Sequence, residues 1–170
     1  KLVRRMVEAD LERVQAGGDI TYVGGEIEIH TSYEGANFKL IIDRIDVQGD
    51  TVNVIDYKTG RDKTECDLSK WPTDAKKLVE CLKQAKKING AVIQLLYYCD
   101  VMLESGELNR LLSDKNLKVR PMILKPGAPD INDGIITLKV PKDIDQNPVV
   151  ISDYKDDVDD SVKKCLREAV

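Results

Sequence analysis

The sequence predicts an α/β fold of α+β layers, in which helices flank a mixed central β-sheet. Segments rich in β-branched residues alternate with segments in which apolar residues recur at helical spacing. The order along the chain is a helix, three strands, two helices, two strands and a final helix, which is typical of layers packed on one sheet. The predicted strands span residues 20–33, 39–47, 51–57, 117–124 and 135–140.

Length and composition indicate one soluble domain. With 170 residues, 42% of them hydrophobic, the chain can bury one core. We therefore expect a single domain over 1–170, excised from a longer protein because the chain begins inside a predicted helix without a methionine. It contains neither a long apolar run nor a signal-peptide pattern, which excludes a membrane span and favours the cytoplasm. The four cysteines form no CxxC pair, as expected for reduced thiols.

Charge is unevenly distributed along the chain. The net charge of -4 argues against a general affinity for nucleic acid. However, residues 58–87 hold nine Lys or Arg against five acids, whereas residues 143–160 hold seven acids against one lysine. The basic stretch is a candidate phosphate-binding face. Two ordinary solvated faces explain the same pattern, and composition leaves both interpretations open.

Four helices follow from apolar spacing. The first ends at Gly17 and Gly18, a basic helix covers 76–87, a third lies between Asn89 and Gly106, and the last begins near Ser152 or Asp153. Each is expected to bury its apolar stripe. The expected buried positions are Val3, Met6, Val7, Leu11 and Val14 in the first helix, Leu78, Leu82 and Ala85 in the second, Val92, Leu95, Leu96, Cys99, Met102 and Leu103 in the third, and Val158, Val162, Cys165 and Leu166 in the last.

Residues 39–47 and 51–57 are predicted to form a β-hairpin, which contains the candidate site residues. If Gly49-Asp50 is a two-residue turn, paired residue numbers sum to 99 and Asp43 lies opposite Asp56. A four-residue turn would change this pairing. Side-chain alternation then predicts one inward face. Its members are Asp43, Ile45, Val47, Val52, Val54, Asp56 and Lys58.

Two facing carboxylates need compensation, because like charges directly opposite each other destabilise a sheet. A divalent metal such as Mg²⁺ would provide it, since hard cations bind carboxylate oxygens at about 2.0–2.1 Å. Lys58, two residues after Asp56, would place an ammonium beside that metal. Alternatively, the hairpin is a surface element whose acids pair with Arg44, Lys39 or Lys58.

Three short motifs resemble the RecB-like branch of the PD-(D/E)xK nuclease superfamily. Residues 42–46 read IDRID, residues 56–60 read DYKTG, and Gln94 precedes Tyr98 by four positions in a QxxxY helix. They occur in the order found in that branch, and the resemblance covers roughly residues 20–105. It implies a restriction-endonuclease-like fold with a mixed central sheet.

The resemblance also implies roles for the hairpin. Asp43 and Asp56 would hold Mg²⁺ or Mn²⁺, the backbone carbonyl of Tyr57 would complete part of the metal shell, and Lys58 would orient the attacking water. Gln94 and Tyr98 would help to position DNA, and the alternative is that they form a polar edge on a packed helix.

Upstream acids are harder to place by resemblance. Glu26 matches an acidic position that precedes the IDR motif in relatives, where it would be a supporting acid, but a solvated strand face explains it equally well. Relatives usually add a Glu or His from an upstream helix, and neither Glu8 nor Glu12 matches that motif.

By this likeness we expect a Mg²⁺-dependent deoxyribonuclease, an exonuclease module in DNA recombination and repair. Its partners would be DNA and a helicase region of the same chain or of a partner subunit. The cysteine spacing does not fit the iron-sulfur cluster of some relatives, so we expect none. The alternative is a non-catalytic DNA- or partner-binding module of the same fold.

Overall fold

A computed structural model describes residues 2–59, 64–67, 89–112, 116–127, 134, 136–139 and 149–168. The helices are α1 (Leu2–Gly17), α2 (Gly90–Glu104), α3 (Glu107–Leu111), α4 (Tyr154–Asp157) and α5 (Asp160–Glu168). The strands are β1 (Ile20–Tyr33), β2 (Ala36–Gln48), β3 (Thr51–Tyr57), β4 (Glu65–Asp67), β5 (Lys118–Leu124), β6 (Thr137–Lys139) and β7 (Val149–Val150). The predicted basic helix at 76–87 lies outside the described residues.

The main sheet is mixed, which confirms the predicted fold class. Its strand order is β1-β2-β3-β5, with two antiparallel pairs followed by the parallel pair β3 and β5. Pro121 lies within β5, the last strand in this order, as expected for a residue that cannot donate to a second ladder. A smaller sheet has the order β4-β6-β7.

The β2–β3 hairpin has the predicted register. Arg44 pairs with Ile55 and Gln48 with Thr51, so paired numbers sum to 99. Gly49 has a φ of 59°, and the backbone φ is positive at no other described position of the turn. A two-residue turn with only its first φ positive is type II′, whose twist matches that of the flanking strands. The turn chemistry therefore sets which residues face each other.

Helix α2 covers one face of the main sheet. Asn89 caps it by accepting a hydrogen bond from the Val92 amide, and the chain turns away at Gly106, where φ is 75°. The predicted apolar stripe is buried in the main core together with Val52 and Val54 of β3. The prediction for this helix is thus confirmed.

Helix α1 covers the opposite face, and its predicted orientation is wrong. Val3, Val7 and Leu11 are 72%, 63% and 56% exposed, whereas Ala9 and Arg13 are buried. The cause lies in the sheet, where this face presents polar groups that an apolar stripe would leave without hydrogen bonds. The hairpin is consequently buried on both faces, and Ile55 packs in a second small core with Ala9, Met122 and Leu124.

The predicted C-terminal helix is divided into α4 and α5. Asp153 caps α4 by accepting from the Lys155 amide, as predicted, but Val158 is extended, with φ −99° and ψ 122°. Asp159 then accepts from the Ser161 amide at 2.7 Å and begins α5. The four residues predicted to be buried in this region are buried.

Cys66, Cys99 and Cys165 are buried free thiols, in agreement with the prediction for these three positions. None of the helices in the described part of the chain has the length and apolar character of a membrane span.

Candidate active site at the end of the hairpin

Asp43 lies where the β2–β3 backbone ladder ends. The last paired residues are Arg44 and Ile55, and the next pair in the same register is Asp43 and Asp56. In place of a further ladder bond, the amide of Tyr57 donates to Oδ2 of Asp43 over 2.7 Å. Oδ1 of Asp43 has no hydrogen-bond partner among the described residues. The backbone of β3 therefore fixes the direction of Oδ2 of Asp43, which occupies the position predicted to lie opposite Asp56.

Asp56 is paired with Lys58, as one of the sequence alternatives proposed. The lysine Nζ lies 3.1 Å from Oδ1 and 2.9 Å from Oδ2 of an aspartate that is only 8% exposed. The other candidate cations are engaged elsewhere: Arg44 pairs with two acids on the opposite face, and Lys39 pairs with Glu28. A mostly buried carboxylate is therefore neutralised by the lysine two residues away.

The carbonyl of Tyr57 faces the side of β3 on which Asp43 lies. In a strand, the amide and the carbonyl of one residue point to the same side, as the exchange of both bonds within a ladder pair requires. The Tyr57 amide points toward Asp43. The Lys58 amide, one residue on, points the other way and donates to the Leu124 carbonyl of β5. Asp43 and the Tyr57 carbonyl therefore share one edge of the hairpin end.

Glu26 is at the level of Asp43 in the neighbouring strand. Gly25 pairs with Arg44 and Ile27 with Ile42, so the same register places Glu26 opposite Asp43. Its φ of 50° is in the left-handed region, where a non-glycine residue is strained by roughly 1–3 kcal/mol. The side chain is exposed.

Glu28 and His30 are close to each other, as alternation predicts, but away from any acid pair. Their side chains are 2.6 Å apart, and Glu28 also contacts Lys39 at 2.8 Å. The lysine and histidine hydrogen bonds lower the pKa of Glu28, which is exposed. These residues form a solvated strand face.

The side-chain alternation of β2 is interrupted at Asp43. Core positions are even-numbered at Leu40 and Ile42 but odd-numbered at Ile45. The period of two consequently does not settle the face of Asp43, and its hydrogen bond to the Tyr57 amide gives its direction. Both irregular positions, Asp43 and Glu26, lie at the same level of the sheet, and bulges and strain are frequent beside active sites.

Gln94 and Tyr98 are in contact on α2. Nε2 of Gln94 donates to the Tyr98 hydroxyl over 2.7 Å, and Gln94 is exposed. Because α2 packs on the face that contains Val52 and Val54, alternation within β3 places it on the same side of the sheet as Asp56. Gln94 and Tyr98 therefore lie on the same side of the sheet as Asp56.

The acids of α1 lie on the other side. Helix α1 packs against Ile55 and Tyr57, which face away from Asp56 by alternation. Glu8 pairs with Arg4 at 2.8 Å on the exposed surface, and Glu12 is also exposed. Neither glutamate is brought to the hairpin acids.

Behind the hairpin lies a buried ionic network that the sequence analysis missed. Asp46 is 0% exposed and accepts from both terminal nitrogens of Arg13, at 3.0 and 2.8 Å, and from Asn53 at 2.7 Å. Burial raises the pKa of Asp46, but its bonds to Arg13 and Asn53 and the charges of Arg13 and Arg44 together outweigh this effect, so the pKa is lowered. We call the group the back-face cluster, and its members are Asp10, Arg13, Arg44, Asp46, Asn53 and Arg120.

The back-face cluster holds three guanidinium groups and two carboxylates. Burial lowers the pKa of Arg120, and the charge of Arg13 lowers it further. The sequence did contain a signal for this cluster. In the predicted hairpin register, in which paired residue numbers sum to 99, the polar residues Asp46 and Asn53 pair with each other between apolar neighbours. A buried polar pair of this kind requires partners from the helix that covers it.

A model of the PD-(D/E)XK nuclease superfamily matches residues 1–168, almost the whole chain. The chain belongs to the PD-(D/E)XK nuclease superfamily. Comparisons with curated proteins and with solved structures give no significant match. The name of the superfamily describes two acids that precede a lysine, and this chain contains Asp43, Asp56 and Lys58 in that order.

The donor atoms of this PD-(D/E)XK site suit a hard cation. Among the described residues no three His, Cys, Asp or Glu side chains form a metal-binding group, and the two acids in register at the hairpin end are Asp43 and Asp56. Mg²⁺ is commonly bound by one or two carboxylates and several waters. Two carboxylates and the Tyr57 carbonyl at one edge fit that requirement.

Proposed function

We propose that the protein is a Mg²⁺- or Mn²⁺-dependent deoxyribonuclease that hydrolyses phosphodiester bonds. The observation that carries the proposal is the hairpin end, where Asp43 lies in register with Asp56 and the Asp56 carboxylate is within 2.9 Å of Lys58. A structural ion pair alone would not require a second acid, with a free oxygen, opposite a mostly buried one.

The residues have separate roles in this proposal. Asp43, Asp56 and the Tyr57 carbonyl would hold the cation, which when bound polarises the phosphate and lowers the pKa of a water. Lys58, which lies beside Asp56, would orient the attacking water and stabilise the charge that develops on the phosphate. Glu26, at the level of Asp43, is the supporting acid.

The finer assignment rests on motifs and on one contact. We place the protein in the RecB-like branch, as an exonuclease module for DNA recombination and repair that works with a helicase region or a helicase subunit. The IDRID, DYKTG and QxxxY motifs support this, and the Gln94 to Tyr98 hydrogen bond supports a shared role in DNA positioning. We further propose that residues 1–170 act as one domain.

Replacing each acid by its amide tests the proposal. Asp43→Asn keeps an oxygen that accepts from the Tyr57 amide, so the fold should remain while the charge is lost. We expect Asp43→Asn and Asp56→Asn to lose Mg²⁺ and Mn²⁺ binding in calorimetric titrations and to lose cleavage of linear DNA. Asp50→Asn is the matched control, because Asp50 is a 67% exposed acid at the turn of the same hairpin. Unchanged metal affinity in both site variants would exclude the metal site.

One observation favours the alternative, a non-catalytic DNA- or partner-binding module of the same fold. The described residues contain two acids at the hairpin end rather than a group of three metal-ligating side chains. The same titration separates the two functions. Metal-dependent stabilisation and DNA binding without cleavage, at Mg²⁺ concentrations that saturate the protein, would identify the module.

A further inference from the structure

Tyr57 is held at both its backbone and its side chain by two consecutive residues of β2. Its amide donates to Asp43 over 2.7 Å, and its hydroxyl accepts from Nη1 of Arg44 over 3.2 Å. Both contacts lie beyond the last ladder pair, Arg44 and Ile55. At the level of Asp43 and Asp56, side-chain hydrogen bonds to Tyr57 therefore replace the backbone hydrogen bonds of the ladder.

Arg44 is itself fixed from several directions. Nη1 lies 2.6 Å from Asp10 of α1, Nη2 lies 2.8 Å from Asp46, and the guanidinium stacks over the Tyr22 ring at 5.8 Å. Burial lowers the pKa of Arg44, but its bonds to Asp10 and Tyr57 and the charge of Asp46 raise it above its usual value. Arg44 is consequently a permanently charged and immobilised anchor, with its side chain 12% exposed.

The position of Tyr57 controls both neighbours in the site. Asp56 precedes it and Lys58 follows it, and its own carbonyl is one of the proposed ligands. A shift of the Tyr57 backbone would move this carbonyl and weaken the hydrogen bond from the Tyr57 amide to Asp43. Tyr57 packs against the second small core, which contains Ile55, and the hydroxyl bond to Arg44 fixes the outer end of its side chain.

We infer that Arg44 and the Tyr57 hydroxyl are positioning residues, through which helix α1 and the back-face cluster hold the Asp43 carboxylate and the Tyr57 carbonyl for a divalent cation. The inference rests on the proposed function. Neither side chain touches the cation or the substrate, since both lie on the opposite face of the hairpin. Groups that orient metal ligands typically change metal affinity or activity by about 10- to 100-fold when they are replaced.

Tyr57→Phe is the cleanest test, because it removes only the hydroxyl and keeps the ring in its packing. Arg44→Lys is the second variant, since one ammonium keeps the charge but cannot reach Asp10, Asp46 and the phenol together. For both variants we expect about 10- to 100-fold weaker Mn²⁺ and Mg²⁺ binding by calorimetry and a matching rise in the Mg²⁺ concentration for half-maximal cleavage. KM for DNA at saturating metal should stay unchanged.

Tyr33→Phe is the matched control, because it also removes only a tyrosine hydroxyl. That hydroxyl donates to the buried Asp100 of α2 and contacts neither Arg44 nor Tyr57. The variant should lower the melting temperature and leave the metal affinity unchanged. An equal loss of metal affinity in Tyr33→Phe would overturn the inference, because general destabilisation would then explain all three variants.

The two proposals fail in distinguishable ways. If Asp43→Asn loses metal binding while Tyr57→Phe and Arg44→Lys bind metal like the wild type, the site stands and the positioning role is refuted. If Asp43→Asn binds metal normally, the site itself is wrong, and the positioning role fails with it.

Discussion

Lys58→Ala separates a catalytic lysine from a structural counter-ion. In the metal-free protein Lys58 is the cation beside Asp56, at 2.9 and 3.1 Å from its two oxygens. Removing Lys58 leaves less positive charge beside the Asp56 carboxylate, whose side chain is only 12% exposed. Hydrogen bonds to charged groups contribute about 1.5–3 kcal/mol. Because Lys58 is 29% exposed and partly screened, we expect a loss near the lower end, about 1.5–2 kcal/mol.

This loss is measurable as a shift in melting temperature. For a chain of this size, about 1 kcal/mol corresponds to about 2–4 °C, so Lys58→Ala should melt roughly 3–8 °C below the wild type without metal. Saturating Mg²⁺ should restore most of the difference, since the cation neutralises Asp56 directly. Turnover of linear DNA at saturating Mg²⁺ should still fall by about 100-fold or more, the scale for losing one preorganised electrostatic group.

Two further variants complete the assay. Lys58→Arg keeps the ion pair and therefore the apo melting temperature, but its planar fork displaces the charge, so turnover should remain low. Lys118→Ala removes an exposed lysine that pairs with Asp50 at 2.8 Å at the other end of the hairpin. This control should change stability by less than about 0.5 kcal/mol and leave cleavage intact. Normal cleavage by a folded Lys58→Ala protein would refute the assignment of the active site.

Two other predictions concern DNA binding and pH. Changing Lys83, Lys86 and Lys87 to Glu should weaken DNA binding and reduce its dependence on salt, as measured by titrations at several salt concentrations. If the affinity depends neither on these substitutions nor on salt, the DNA-binding face lies elsewhere. The folded-state pKa of Asp46 is lowered from 3.8, so its stabilisation is present above that pH and is lost as the pH falls through the folded-state value. Asp46→Asn should therefore cost about 3 kcal/mol at neutral pH in urea unfolding, because Arg13 loses its fully buried counter-ion and keeps the half-buried Asp10 at 3.3 Å, and the difference from wild type should shrink below pH 3.8. A constant difference at all pH values would contradict this.

Local sequence was sufficient for the hairpin and for α2. A two-residue turn with glycine first determines the pairing of every residue that follows, and this is why the facing positions of Asp43 and Asp56 were predictable. The cap at Asn89 and the apolar stripe of α2 are likewise encoded within a few turns of helix. These features depend on neighbours in the chain, so the sequence by itself determined them, along with the candidate residues Asp56 and Lys58.

Only the tertiary structure decided which face of α1 is buried. The helix is amphipathic in sequence, but it turns Arg13 inward and leaves Val7 exposed because the buried Asp46 and Asn53 need a cation and hydrogen-bond partners. Asp46 is 33 residues away from Arg13 in the chain, so no local pattern reveals this pairing. The energetic reason is that an unsatisfied buried carboxylate costs more than an exposed valine.

The same holds for the details of the site. The parallel pairing of β3 with β5, the left-handed φ of Glu26 and the interruption of β2 at Asp43 arise where strands from distant parts of the chain meet. The sequence by itself determined the β2–β3 register, in which Asp43 and Asp56 are the next pair after Arg44 and Ile55. The packing of α1 and of β1 against them decided how their oxygens and the Tyr57 carbonyl are directed, because direction depends on contacts that form only when the layers assemble.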